Sequence, residues 1–347
     1  MLKFIFRFII FLIIVAGIAE VVLRYKYGFC NAPLYISDPD FEYIYAPNQD
    51  VKRFGNVVRT NNFSMRNEPL SSADSIIVLL IGDSVVNGGS MTDQDSLASG
   101  FLEKRLSVTL NARVRVLNIS AGSWGPDNVA AYLKKFGLFK AKLICLVTSS
   151  HDAHDIMGHE SIIGIDPNMP DKQYKSALVE VWERYKYLYP YYIEYYSERI
   201  PFFSAQKEID PVAQKPKTDS LAVKIEARRD EKIKSEQPED TGIRKSGIGF
   251  NPGYAQLVKM AKENNIPFFI YLHPEISEVE AGKFNDQGDE IMEFAKENDV
   301  RLINEFDYGI TTKLYRKMDV VHFNNSGQVF LANNLYPLFL DYLNKKQ

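Results

Sequence analysis

The sequence predicts an α/β fold in which helices flank a parallel sheet of five strands. The first observation is a set of continuous apolar runs, at 75–82, 113–120, 142–150, 267–274 and 301–306. Continuous runs, as opposed to alternating ones, fit strands buried on both faces of a parallel sheet. The second observation is a set of helical patterns between and after these runs, at 94–109, 126–138, 253–265, 276–298 and 325–343. Strands that alternate with helices indicate a doubly wound fold, whose site lies at the carboxyl ends of the strands.

The length and composition exclude several classes of protein. The 347 residues allow one large domain or two small ones, and 46% apolar with 24% charged residues is ordinary for a globular protein. A net charge of -3 excludes a nucleic-acid binder held by phosphate neutralisation. The two cysteines, Cys30 and Cys145, exclude a disulfide scaffold and a cysteine-only metal site, and we do not expect them to pair.

Residues 1–27 form the first of three predicted regions. Positions 4–23 read FIFRFIIFLIIVAGIAEVVL, and about 20 mostly apolar residues span a bilayer as a helix. We expect an uncleaved, single-pass transmembrane anchor. The alternative is a signal peptide cut after Ala19, because small residues precede that point at the required spacing. Both interpretations place the rest of the chain outside the cytoplasm, in the periplasm or the extracellular space.

The second and third regions are a lead-in and the main domain. Residues 28–73 are polar and turn-rich, and predict an extended lead-in with few regular elements. Residues 74–347 form the α/β domain, which a helical insertion at 173–250 interrupts. Seven tyrosines of this insertion, between 185 and 196, could stack on sugar rings, lie at a membrane interface or pack on the core. Its charged second part, 205–246, predicts an exposed helix.

Two short motifs at opposite ends of the domain suggest nucleophilic catalysis. The first predicted strand runs into Gly-Asp-Ser84, where a tight turn would expose the serine to a cleft. A serine needs a base to attack at neutral pH, and His322 follows Asp319 by three residues, close enough for the carboxylate to orient the imidazole. Each motif is weak by itself, but the fold would bring both to one edge of the sheet.

With these motifs in this order, residues 74–345 resemble the SGNH hydrolases, also called GDSL-type esterases and lipases. The resemblance implies a flavodoxin-like three-layer sandwich with Ser84 as nucleophile, His322 as base and Asp319 as its orienting partner. The lead-in stretches Tyr43–Asn48 and Asn61–Arg66 are similar to those of membrane-anchored bacterial members. The resemblance implies no cofactor and no metal ion.

The same resemblance implies an oxyanion hole of three donors. The first is the backbone N–H of Ser84. The second is normally a glycine N–H five residues after Asn118; that register falls on Ser123, and Gly122 lies one residue short, so either N–H could serve. The third is normally an asparagine side chain, and here His151 stands in its place. An imidazole N–H can donate to an oxyanion in the same way.

Other polar residues near these positions have open roles. Three are expected to face the cleft as substrate contacts: Asp152, His154 and His273. For His273 a structural role is equally expected. A helix over 151–155 would place His151, His154 and Asp155 on one face near His159, which is a second, metal-binding interpretation.

The expected reaction is acyl transfer through Ser84. With water as acceptor, the protein is an esterase acting on an acylated glycan of the envelope or on a small ester. With a sugar hydroxyl as acceptor, it is an O-acyltransferase that modifies a surface polysaccharide and needs a membrane partner as acyl donor. A third hypothesis is a carbohydrate-binding scaffold without catalysis. The membrane, through the N-terminal helix, is the other expected partner, and nucleic acid is not.

Overall fold

The computed structural model describes residues 2–189, 244–247, 249–317 and 319–344. The strands are β1 (Tyr35–Asp38), β2 (Glu42–Tyr45), β3 (Asp50–Arg53), β4 (Asn56–Arg59), β5 (Ile76–Gly82), β6 (Val114–Ser120), β7 (Leu143–Ser149), β8 (Asp155–Met157), β9 (Arg244–Ser246), β10 (Phe268–His273) and β11 (Arg301–Asn304). The helices are α1 (Leu2–Tyr27), α2 (Ser84–Asn87), α3 (Ala98–Thr109), α4 (Pro126–Phe136), α5 (Ala177–Tyr185), α6 (Pro252–Glu263), α7 (Ile276–Ala281), α8 (Asp286–Glu297) and α9 (Asn325–Asn344).

Five parallel strands form the central sheet, in the order β11-β10-β7-β5-β6. Each predicted apolar run contains one of them, so the predicted parallel sheet is confirmed. Strand β5 shows why these runs are continuous. Leu79 and Ile81 enter the core on one face of the sheet, and Val78 and Leu80 enter the core on the other. Because neighbouring side chains point to opposite faces, a strand covered on both sides needs apolar residues throughout.

Helices cover both faces of the sheet and complete a three-layer sandwich. On one side α4, α6 and α8 contribute core residues, among them Val129, Leu257 and Ile291. On the other side α3 and α9 contribute Leu102 and Leu335. The predicted α/β three-layer architecture is therefore confirmed.

One predicted helix is two helices in the structure. The pattern at 276–298 divides into α7 and α8 because Gly282, at a φ of +71°, ends α7 in the left-handed conformation. Asn285 then caps α8 by accepting hydrogen bonds from the N–H groups of Gln287 and Gly288. The apolar spacing continued across the break, so periodicity alone did not locate it.

The lead-in is more regular than the sequence predicted. Its strands form two antiparallel hairpins, β1–β2 and β3–β4, where few regular elements were expected. Beyond them the Arg66 side chain is buried and donates hydrogen bonds to the carbonyl oxygens of Asn87 (2.6 Å) and Gly89 (2.8 Å). The lead-in is therefore a structural part of the domain and supports the loop that follows α2.

Helix α1 is continuous and has no buried residue. Its 26 residues correspond to a length of about 39 Å, enough to cross a membrane by length and composition; a signal sequence near the N-terminus has the same properties. The first part of the insertion forms α5, which packs against the end of α1. Residues 190–243, with four of the seven tyrosines and most of the charged stretch expected to form an exposed helix, lie outside the described residues.

Candidate active site

Ser84 lies two residues beyond the end of β5, as the first residue of α2, and is half-buried. Asp83 caps this short helix, and its Oδ1 accepts a hydrogen bond from the N–H of Val85 at 2.8 Å. Gly82 is required at the strand end, because a Cβ there would lie 2.5 Å from the carbonyl oxygen of Val147. The turn therefore holds the serine at the carboxyl edge, the edge of the sheet where its parallel strands end.

Buried amide side chains hold α2 against its neighbours. Asn118 donates to the carbonyl oxygen of Val86 at 2.8 Å. Gln328, on α9, donates to the carbonyl oxygen of Val85, also at 2.8 Å. A four-residue helix is not stable by itself, so these bonds are needed to give Ser84 a fixed position.

Asp319 and His322 form a hydrogen-bonded pair at the same edge. Asp319 Oδ1 lies 2.7 Å from His322 Nδ1 and also accepts the backbone N–H of His322 at 3.0 Å. Burial by itself would raise the pKa of Asp319, but the hydrogen bonds and charge of His322 lower it to about 2. The carboxylate is thus ionised at neutral pH. It accepts a hydrogen bond from the Nδ1–H of His322, which leaves Nε2 of His322 for proton transfer.

Arg316 joins the loop of this pair to the loop of the serine. Its guanidinium donates to the carbonyl oxygen of Gly88 at 2.6 Å, and its backbone N–H donates to the carbonyl oxygen of His322 at 2.9 Å. Among the described residues no hydrogen bond joins Ser84 to His322, and Ser84 Oγ instead lies 3.5 Å from Asp83 Oδ2. Catalytic hydrogen bonds of this kind often tighten only when substrate binds.

The loop after β6 carries the two alternative backbone donors. Ser123 has a φ of +56°, the left-handed region that favours glycine, and Gly122 does not. The Tyr43 hydroxyl donates to the carbonyl oxygen of Gly122 at 2.8 Å. Because the peptide unit is planar and trans, the N–H of Ser123 points the opposite way from that carbonyl. The lead-in thus fixes the direction of the Ser123 N–H.

His151 follows β7 and lies among carboxylates. Its Nδ1 is 3.0 Å from Glu275 Oε1 and its Nε2 is 3.7 Å from Asp152 Oδ1. Burial would lower the pKa of His151, but the charges of Asp152, Glu275 and Asp83 raise it to about 10. Burial and the charge of Asp152 raise the pKa of Asp83 to about 6. At neutral pH His151 is therefore an imidazolium.

Two predicted substrate contacts near His151 have other partners. Asp152 is almost fully buried and accepts hydrogen bonds from the Thr148 hydroxyl and the Ser149 N–H, both at 2.9 Å. It therefore stabilises the turn after β7. His154 Nε2 lies 2.6 Å from Glu290 on α8.

The metal-binding interpretation of this segment does not match the geometry. Residues 150–153 form a 3₁₀ turn, and Asp155 begins β8, so the shared helical face does not form. Within the described ranges, one group could bring metal-ligand atoms together: Asp83, His151 and Asp152, within 4.8 Å of one another. This group differs from the predicted set, because Asp83 and Asp152 accompany His151 in place of His154 and Asp155.

His273 is fully buried at the end of β10, so it has no exposed surface for a substrate. Its Nδ1 bonds to Glu305, and its Nε2 lies 2.8 Å from the carbonyl oxygen of Val321. Burial would lower the pKa of His273, but the charge and hydrogen bond of Glu305 raise it. Because a carbonyl and a carboxylate only accept, both ring nitrogens donate. The structural role is the one the geometry supports: His273 holds the peptide next to His322.

Two glutamates of this edge were not predicted from the sequence. Glu305 comes directly after β11, and Glu275 lies two residues beyond the end of β10. That position was a usable signal, since residues after parallel strands meet at the carboxyl edge. Their specific partners, His151 and His273, were not predictable from spacing, because 124 and 32 residues separate the members of each pair.

Comparison with solved structures finds esterases and lipases at low similarity. A lipase from a goat rumen metagenome is 11% identical, with a TM-score of 0.37, over 75% of this chain and 96% of that one. The esterase EstA of a Pseudoalteromonas species is 10% identical, with a TM-score of 0.38, over 78% and 100%. A G-D-S-L family member from Veillonella parvula is 8% identical, with a TM-score of 0.35, over 76% and 98%.

At these TM-scores the likeness carries no conclusion about the activity of this chain. No family model matches the sequence, and none of the curated proteins does. The chemistry of the site therefore depends on the residues described above.

Proposed function

We propose that the protein is a serine-dependent esterase that acts on carboxylic esters. The observation that carries this proposal is the set of residues that meet at the carboxyl edge. Ser84 opens a helix there, and an ionised Asp319 orients His322 on a loop that Arg316 ties to the serine loop. A serine, a base and an orienting carboxylate are the parts that activate a hydroxyl for acyl transfer.

In the proposed mechanism Nε2 of His322 takes the proton of Ser84 as Oγ attacks the ester carbonyl. The tetrahedral intermediate collapses to an acyl-enzyme when the leaving alkoxide accepts that proton from His322. Water then attacks the acyl carbonyl while His322 takes a proton from it. The bond from the acyl group to Ser84 Oγ breaks, that oxygen takes the proton back from His322, and the carboxylic acid leaves. Asp319 stays ionised throughout and stabilises the imidazolium that forms twice in the cycle.

The oxyanion would be held by two backbone donors and one charged side chain. The N–H of Ser84 is the first. The left-handed φ of Ser123 and the bond from Tyr43 to the preceding carbonyl favour the Ser123 N–H over that of Gly122 as the second. The third is the imidazolium of His151, whose Nε2 makes only a 3.7 Å contact. A cation placed where negative charge develops is an effective oxyanion stabiliser.

A fluorophosphonate probe tests the proposal before any natural substrate is known. We expect the full-length protein in detergent to be labelled covalently and Ser84→Ala to be unlabelled. A matched control is Ser90→Ala, which removes a half-buried hydroxyl from the same loop and should leave labelling unchanged. Labelling of Ser84→Ala at the wild-type rate would refute the nucleophile assignment.

We also propose that α1 remains attached as a membrane anchor. Glu20 lies one residue beyond the alternative cleavage point and caps α5, accepting the N–H of Ala177 at 2.8 Å and that of Leu178 at 3.0 Å. Arg24, one turn later, pairs with Glu20 at 2.6 Å. Cleavage after Ala19 would cut a continuous helix and leave this contact at a frayed terminus. Detection of an intact N-terminus in membrane fractions by mass spectrometry tests this proposal.

The proposal extends to the natural ester and to the molecule that accepts its acyl group. An anchored domain outside the cytoplasm would meet acylated envelope glycans, so we propose these as substrates. The O-acyltransferase alternative uses the same three catalytic residues. The two are separated by following an acyl group from an aryl ester: release as free acid supports the esterase, and transfer to an added oligosaccharide supports the transferase.

A further inference from the structure

The polarity of helix α5 is inverted relative to a helix that faces water. Its outward residues Leu178, Val179 and Trp182, here called the α5 outer face, are 38%, 51% and 55% exposed. Its inward residues include Glu180 and Arg184, which are buried and pair with each other at 2.8 Å. A helix in water places its apolar residues toward the core and its charges outward. An apolar outer face is therefore costly unless something apolar covers it.

The buried Glu180 of α5 is held by partners from β3 and from the segment that leaves α1, so the inversion is built into the packing. Arg53 of β3 lies 2.9 Å from Glu180, and its guanidinium also donates to the carbonyl oxygen of Gly28 at 3.0 Å. The backbone N–H of Cys30 donates to the other oxygen of Glu180. This cluster fixes α5 to the segment that leaves α1, and it fixes which side of α5 faces outward.

Helix α5 begins beside the end of the apolar part of α1. Glu20 binds the first turn of α5, and Arg24 donates to the carbonyl oxygen of Lys175. The start of α5 thus contacts a helix proposed to cross a bilayer. Trp182 stacks on Tyr189, with ring centroids 5.2 Å apart, and tryptophan and tyrosine are enriched where membrane meets water.

We propose that the α5 outer face lies in the headgroup region of the bilayer that α1 spans. The proposal rests on the membrane anchoring of α1 and is independent of the serine chemistry. One ion pair, Glu183 with Lys186 at 2.8 Å, lies beside this face, and a lysine there can extend its amine to lipid phosphates while its stem stays among apolar groups. The domain is then held to the membrane at two points.

The tryptophan content of the chain makes the proposal directly testable. There are two tryptophans: Trp124 is fully buried in the core and Trp182 is exposed. The full-length protein is placed in phosphatidylcholine nanodiscs, with or without a doxyl quencher at carbon 5 of the acyl chain. We expect the doxyl lipid to lower the emission of Trp182 at least twofold and aqueous iodide to have little effect. Trp182→Phe, the matched control, should retain only the emission of Trp124 and lose the lipid-dependent quenching.

The alternative occupants give different results. Quenching by iodide without quenching by the doxyl lipid would place the face in water and overturn the proposal. Insensitivity to both quenchers would mean that residues 190–243 or a second copy of the chain cover it, which also overturns it. If the protein failed to enter nanodiscs at all, the anchoring of α1 would be wrong and this proposal would fall with it, whereas fluorophosphonate labelling of Ser84 would be unaffected.

Discussion

Replacement of His151 tests the most unusual feature of the candidate site. Nearby carboxylates raise its pKa from 6.5 to about 10, so the imidazolium is the species present at neutral pH. If its N–H stabilises the oxyanion, His151→Ala should lower kcat by about 10²–10³, or roughly 2.7–4 kcal/mol of transition-state stabilisation. His151→Asn supplies an uncharged amide donor at the same position, so it should retain much more activity than the alanine variant.

The pH dependence gives the sharper result. Because the folded-state pKa is above the ordinary value, the cation and its contribution are present below about pH 10 and are lost as the pH rises through that value. The wild-type kcat with an aryl acetate, corrected for spontaneous hydrolysis, should fall near pH 10. His151→Asn should lack this fall. Glu275→Gln removes the carboxylate on Nδ1 and should move the fall about one pH unit lower.

Controls separate catalysis from folding. His159→Asn changes another histidine of the same segment and should keep the wild-type pH profile. His159 has a left-handed backbone conformation, which asparagine tolerates. Thermal unfolding of each variant checks that the fold is intact. The oxyanion role of His151 is refuted if His151→Asn keeps the fall in kcat near pH 10. It is also refuted if a folded His151→Ala hydrolyses the ester at the wild-type rate.

Three other predictions address the structural support of the site. His273→Gln should lower kcat about 10²-fold with little change in KM, because the Val321 peptide and His322 lose their positioning; steady-state kinetics beside Tm measurements will show whether activity falls while the fold persists. Arg66→Lys should cost roughly 3 kcal/mol of unfolding free energy, since a lysine cannot reach all the carbonyl oxygens that the buried guanidinium binds, and an unchanged urea midpoint would contradict this. Gly253→Ala should lower the free energy of unfolding by about 3 kcal/mol or more, because the new Cβ on α6 would lie 2.0 Å from the backbone nitrogen of Asp127 on α4. Thermal unfolding at the wild-type Tm would show that α4 and α6 move apart without cost.

Much of the fold was predictable because it depends on local patterns. Apolar runs covered on both faces predicted all five parallel strands, and their alternation with helices predicted the layers. The hairpins of the lead-in were not predictable in the same way, since each strand has only four residues and its pairing depends on contacts with the domain. The break between α7 and α8 was missed because the apolar spacing continues through Gly282.

Several residues of the carboxyl edge were predictable from the order of the strands in the chain. Ser84, His151 and His273 each follow or end a parallel strand, and the Asp319–His322 pair is local in the chain. The contacts that each of these residues makes there depend on packing between distant parts of the chain. Asp152 and Glu275 raise the pKa of His151, while Glu305 and the Val321 carbonyl accept the hydrogen bonds of the buried His273.

The same division holds for helices α1 and α5. The apolar composition of α1 is visible in the sequence. The inverted face of α5 is not, because its sequence predicts an ordinary amphipathic helix whose apolar side packs inward. Burial of Glu180 depends on Arg53 from a strand 127 residues earlier. A sequence pattern gives the period of a helix, but only packing decides which of its faces is turned inward.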